Sequence, residues 1–197
     1  MKLLELYKGT GSVGKVAKKM GLSVVSLDNV EKYQPDILED ILKWDYKEYS
    51  KKNNYIPDLI WASVPCETFS LLGNNYAHYR EAGTGKALNE KAKTGDKLLK
   101  KTIEIINYFK DKNKNLKFVI ENPRGFMRFQ PILKPYYRTT TIYVLYGDER
   151  YKPTDFFSNV DLKLKEVIGA NKIKEKMKIK LRSIRQEKTD KKTIEEK

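Results

Sequence analysis

Residues 2–28 read KLLELYKGTGSVGKVAKKMGLSVVSLD, and their order decides the fold. Leu3 to Tyr7 is an apolar run of strand length. Gly9, Gly11 and Gly14 form Gly-x-Gly-x-x-Gly, and within Ser12 to Met20 the residues Val13, Val16, Ala17 and Met20 fall at helical spacing. Leu22 to Leu27 predicts a second strand that ends at Asp28. Glycines between a strand and a helix let the backbone turn sharply and approach a ligand closely, and an acid ending the next strand is placed to accept hydrogen bonds from ribose hydroxyls. This geometry suits a dinucleotide and S-adenosylmethionine equally.

The alternation continues outward. Ile37 to Trp44 holds a short element of undetermined type, and Asp58 to Ser63 predicts a strand running into Pro65-Cys66. From Phe69 to Gly95 the pattern dissolves into Gly, Asn and Lys, which predicts a functional loop or a disordered one. Leu98, Leu99, Thr102, Ile105, Ile106 and Phe109 mark an amphipathic helix. Leu116 to Ile120 predicts a strand that stops at Glu121-Asn122-Pro123. Thr139 to Tyr146 predicts another, partnered by Asp155 to Val160 across a turn at Gly147-Asp148. Alternating strands and helices give an α/β, Rossmann-like class with a mainly parallel sheet flanked by helices.

The 197 residues suffice for one domain, expected over 1–168, and the 40% hydrophobic content is enough to pack a core. Beyond it, 169–197 reads as a basic, partly helical or disordered tail, with seven basic residues and one acid between Lys172 and Arg185. The net charge of +14 favours polyanionic partners through counterion release, although a biased composition alone also produces such an excess. No apolar run approaches the roughly 18 residues of a membrane span, so no membrane partner is expected. A lone cysteine builds no disulfide framework, which fits a reducing, intracellular, cytoplasmic setting.

Two strand ends carry the chemistry. Strand C-termini of open parallel sheets face the ligand crevice, which sends Cys66 and Glu121 toward the same place. Most lone cysteines are inert core residues, but Pro65 before and polar residues after argue against core filler here. A thiol at that position becomes a nucleophile when nearby donors or cations lower its pKa. A glutamate ending Phe118-Val119-Ile120 is costly to bury without a partner or a task; its ordinary explanation is a structural ion pair.

Taken together, these motifs resemble the DNA cytosine-5 methyltransferase family. Pro65-Cys66-Glu67-Thr68-Phe69-Ser70 is similar to its Pro-Cys-Gln-x-Phe-Ser element, and Glu121-Asn122-Pro123 to its Glu-Asn-Val. Leu6-Tyr7-Lys8-Gly9-Thr10-Gly11 resembles its Phe-x-Gly-x-Gly loop, and Tyr146 to Thr154 can be laid over its Tyr-Gly-x-Pro-Gln-x-Arg-x-Arg element. The four occur in the family's order. The resemblance implies a fold that binds S-adenosylmethionine and needs no metal, with Cys66, Glu121 and Lys152 catalytic. It also implies that Tyr7, Gly9, Thr10, Gly11, Gly14, Asp28, Asp40 and Pro65 hold the cofactor, Asp40 at the adenine amino group. The activity implied is methylation of carbon 5 of cytosine in nucleic acid, DNA ahead of RNA. Departures are Glu67 for Gln, Pro123 for Val, and Lys152 and Thr154 for the two arginines. There is no room for the large recognition domain that normally follows, so the chain resembles the compact forms carried by phages and large viruses, with sequence recognition low or supplied by a partner protein. The rival readings are an NAD-dependent oxidoreductase, a non-catalytic nucleic-acid-binding protein on a degenerate methyltransferase core, and an RNA cytosine methyltransferase.

Overall fold

Strand β1 (Lys2–Leu6) lies inside a sheet and, apart from Lys2, is buried throughout. It pairs in parallel with β2 (Ser23–Asp28) on one side and β4 (Leu59–Ala62) on the other, so that Leu6 lies between Leu27 and Ala62. The computed structural model describes residues 1–165, and Met1–Leu164 form one compact unit. Within it a seven-stranded sheet runs in the order β3-β2-β1-β4-β5-β7-β6, where β3 is Ile37–Leu38, β5 Lys117–Pro123, β6 Tyr137–Ile142 and β7 Pro153–Ser158. β1 to β5 are mutually parallel; β7 runs antiparallel to both β5 and β6. Among the described residues four α-helices connect the strands: α1 (Ser12–Lys19), α2 (Tyr46–Lys52), α3 (Leu71–Ala77) and α4 (Glu90–Lys112). This is the expected Rossmann-like architecture.

The two-residue period of the strands sorts the side chains. Leu4, Leu6, Ile60, Ala62, Phe118 and Ile120 turn to one face and join Leu99, Ile103, Ile106 and Phe109 of α4 in a single core. Burying each of the larger side chains stabilises the fold by about 1.5–3 kcal/mol. Glu5, Trp61, Val119 and Glu121 take the opposite face by the same register.

Several sequence expectations need correction. Helix α4 begins at Glu90, not near Leu98: the Asn89 side chain accepts from the Ala92 N–H at 2.9 Å and caps it. Its first turns are lysine-rich outside but bury Ala92 and Gly95, residues too small to register as an apolar stripe. The stretch from Phe69 to Gly95 is therefore no continuous loop, since it contains α3 and the start of α4, and both Phe69 and Arg80 are buried in it. The strand expected over 139–146 ends at Ile142, where a 3₁₀ turn (Tyr143–Tyr146) leads to Gly147 at φ 90°. The undetermined element at 37–44 proves to be β3 followed by a turn. The expected boundary at 168 and the basic tail lie outside the described residues.

Candidate active site

The glycine loop starts with a strained residue. Tyr7 has φ 58°, a left-handed conformation that costs a non-glycine residue about 1–3 kcal/mol. Its hydroxyl is tied to α4, donating to the Leu98 carbonyl at 3.2 Å and lying 2.9 Å from Thr102 Oγ1. Gly11 at φ 68° caps α1 without a side chain. The Gly9 N–H donates to Asp28 Oδ2 at 2.9 Å, so the end of β2 holds the loop. Gly14 meets the sheet from above: its N–H donates to Glu5 Oε1 at 3.1 Å, and a Cβ there would lie only 2.4 Å from Glu5 Oε2. Glu5 is buried, its Oε2 has no hydrogen-bond partner among the described residues, and burial pushes its carboxyl up despite the Gly14 hydrogen bond.

β4 delivers the cysteine. Beyond Ala62 the chain passes Ser63, whose N–H donates to the Leu6 carbonyl, and Val64, whose carbonyl accepts from Asn122 Nδ2 at 2.8 Å. That second bond ties the segment before Cys66 to the segment holding Glu121. The Cys66 carbonyl then accepts from the N–H groups of Phe69 and Ser70 at 3.0 and 2.8 Å, closing a tight turn. Cys66 as a whole residue is exposed. Partial enclosure pushes its pKa up, the Lys152 ammonium opposes that shift, and the Glu121 carboxylate adds to it.

Glu121 sits at the end of β5, its carboxyl raised by burial and drawn back by Lys152. The Tyr143 hydroxyl donates to Glu121 Oε1 at a long 3.4 Å. Lys152 arrives from the start of β7; its Nζ lies 5.5 Å from the centre of the Tyr143 ring, with no salt bridge among the described residues.

These strand ends enclose a cavity of about 600 Å³. Of the residues the sequence singled out, Tyr7, Gly9, Thr10, Pro65, Cys66, Glu121 and Lys152 line it. Asp28 lines a smaller adjoining cavity of about 70 Å³, walled by Tyr7, Pro65, Leu98 and Ile41. Gly11 and Gly14 shape the loop from behind and line neither cavity. Asp40 lines neither cavity: its Oδ1 accepts the Leu42 N–H at 2.9 Å, and its neighbours Glu39 and Ile41 line the smaller cavity instead. At the second position expected to be cationic, Thr154 is buried and donates to the Lys152 carbonyl. Sequence reasoning missed Glu5, Trp61, Tyr143 and Arg150, which also line the larger cavity. Glu5 had a visible signal, a carboxylate inside an apolar strand. Tyr143 had none, because it lies where a continuing strand was expected.

The sequence matches no protein-family profile and no curated protein. Among solved structures, that of S. pombe Dnmt2 methyltransferase superposes with a TM-score of 0.52 at 13% identity, over 83% of this chain and 53% of that one. The two share a fold. A methyltransferase subunit of a type I restriction-modification system from Streptococcus thermophilus matches at 0.47 and 13% identity, over 86% of this chain and 40% of that one. A SAM-dependent methyltransferase from Agrobacterium tumefaciens matches at 0.44 and 18% identity, over 80% and 55%. The chain thus spans about half the length of the Dnmt2 structure. No helix among the described residues is long and apolar enough to cross a membrane.

Proposed function

We propose that this chain transfers a methyl group from S-adenosylmethionine to carbon 5 of a cytosine in nucleic acid, DNA first, through a covalent adduct at Cys66. The observation that carries this reading is that Cys66, Glu121 and Lys152 line the same cavity as the Gly9–Thr10 turn. The cofactor fits the residues present. Glu5 Oε2 is a buried acceptor with no donor among the described residues, and Asp28, held by the Gly9 and Val30 N–H groups, lines a slot walled also by Leu27, Ile41 and Leu98, apolar surface that a purine ring can pack on.

When bound, S-adenosylmethionine supplies an electrophilic methyl group. Everything else falls to the chain. Cys66 must lose its proton before attack, and Lys152 favours the thiolate that burial disfavours. The thiolate adds to carbon 6 of the base, forming a C–S bond and raising electron density at carbon 5. Glu121, whose raised pKa favours the protonated form, donates to ring nitrogen 3 as negative charge builds there. After methylation, loss of the carbon 5 proton and expulsion of the Cys66 thiolate restore the aromatic ring. A base within a duplex is out of reach of such a site, so the substrate is a flipped or single-stranded nucleotide.

The test is transfer of labelled methyl from S-adenosylmethionine to DNA and to RNA, by the native protein and by Cys66→Ala. Label in 5-methylcytosine from the native protein alone is the expected result. Label that survives Cys66→Ala refutes the nucleophile, and label in RNA alone moves the substrate to RNA.

A further inference from the structure

Among the described residues Arg80 is the largest fully buried side chain, a position where arginine is rare unless paired. Its Nε donates to the Thr68 carbonyl at 2.9 Å, its Nη1 to the Gly85 carbonyl at 3.0 Å and its Nη2 to the Ala92 carbonyl at 3.0 Å. Nη2 also pairs with Asp96 Oδ1 at 2.8 Å, and the guanidinium lies 3.9 Å from the centre of the Phe69 ring. One planar fork therefore joins the turn after Cys66, the 81–86 turn and the first turns of α4. Lysine, a point charge on a flexible stem, does not match that geometry.

A second set of contacts grips the same few residues. A Cβ on Gly73 would lie 2.2 Å from the Glu67 carbonyl oxygen, one on Gly95 2.5 Å from Thr68 Oγ1, and one on Gly125 2.2 Å from the Phe69 carbonyl oxygen. The Phe126 N–H closes the set, donating to that Phe69 oxygen at 2.7 Å. Glu67, Thr68 and Phe69, the three residues after the thiol, are thus each pressed by a glycine from a different segment. Core packing alone asks for no buried guanidinium here, since an apolar side chain fills space without needing partners for five N–H donors.

We propose that Arg80 is a positioning residue for Cys66: it fixes the 67–69 turn so that the thiol is held toward the cavity. The proposal rests on the reading of Cys66 as nucleophile. Thiol chemistry and methyl transfer test the two separately. Cys66 is the sole cysteine, so alkylation by iodoacetamide across pH reports on it alone. In Arg80→Lys the turn admits water, and the alkylation midpoint falls toward the ordinary thiol value as desolvation is relieved. Methyl transfer then loses about tenfold or more in kcat with KM for S-adenosylmethionine unchanged, because alignment is lost rather than binding. Asp96→Asn and Gly95→Ala shift the alkylation profile in the same direction and decide the matter if Arg80→Lys does not fold. A lowered melting temperature with the native alkylation profile and native kcat overturns the proposal and leaves Arg80 merely structural. Failure of the native protein to transfer methyl refutes the proposed function, while the alkylation profiles still decide the role of Arg80.

Discussion

Replacing Gly14 with alanine gives a result whose sign depends on Glu5. A Cβ at position 14 would stand 2.4 Å from Glu5 Oε2 and 3.3 Å from Val24 Cγ1. Ordinary contact needs ~3.5 Å, so the start of α1 or the carboxylate must move by about 1 Å. Overpacking of this kind costs about 1–3 kcal/mol. Pulling the Gly14 N–H from Glu5 Oε1 (3.1 Å apart) leaves a buried group unpaired, at a further cost of ~1–3 kcal/mol. The better helix propensity of alanine returns up to ~1 kcal/mol. Gly14→Ala should therefore destabilise the native protein by about 3 kcal/mol. In a Glu5→Ala background the carboxylate is gone and only the milder 3.3 Å approach to Val24 Cγ1 opposes the propensity gain, so the same change should fall within about 1 kcal/mol of neutral. Urea unfolding of the four proteins of the cycle measures this directly. Equal costs for Gly14→Ala in both backgrounds refute the claim that the Glu5 carboxylate is what requires glycine there.

Two further outcomes follow from the buried charges. The Glu5 carboxyl is raised above 4.5 in the folded chain, chiefly by desolvation. Its contribution to stability is therefore fully present below the unfolded value and is lost as pH rises through the folded one. Glu5→Gln should melt higher than the native protein at pH 8, with the gap closing as pH falls toward 4.5; a gap independent of pH between those limits contradicts the assignment. Lys152→Gln removes the cation that opposes the upward shift at both Cys66 and Glu121. Alkylation of Cys66 at neutral pH should slow severalfold, and a native rate in this variant means that Lys152 does not support the thiolate.

The parallel half of the fold was legible because local signals agreed. The apolar runs at 3–7, 22–27, 58–63 and 116–120 each became a strand, and the rule that parallel strands end at a crevice brought Cys66 and Glu121 to one cavity. What escaped was held by tertiary contacts. Arg80 reads in sequence as one more surface cation, and only the folding of residues 68, 85, 92 and 96 around it reveals a buried fork. The Asp40 carboxylate caps a local turn through the Leu42 N–H, a use that short-range hydrogen bonding makes common for aspartate. The strand expected through Tyr146 had the right propensity over its whole length, yet the chain turns at Tyr143 and brings that ring to the cavity instead.

The reversed direction of β7 has an architectural consequence. Because it runs against its neighbours, its beginning rather than its end stands at the crevice, and Tyr143, Arg150 and Lys152 of the 143–152 connection line the cavity. Residues added around Gly147 would extend an exposed turn while the parallel strands and α4 kept their places. The hairpin tip thus tolerates insertion beside the pocket, because other strands build the floor beneath it.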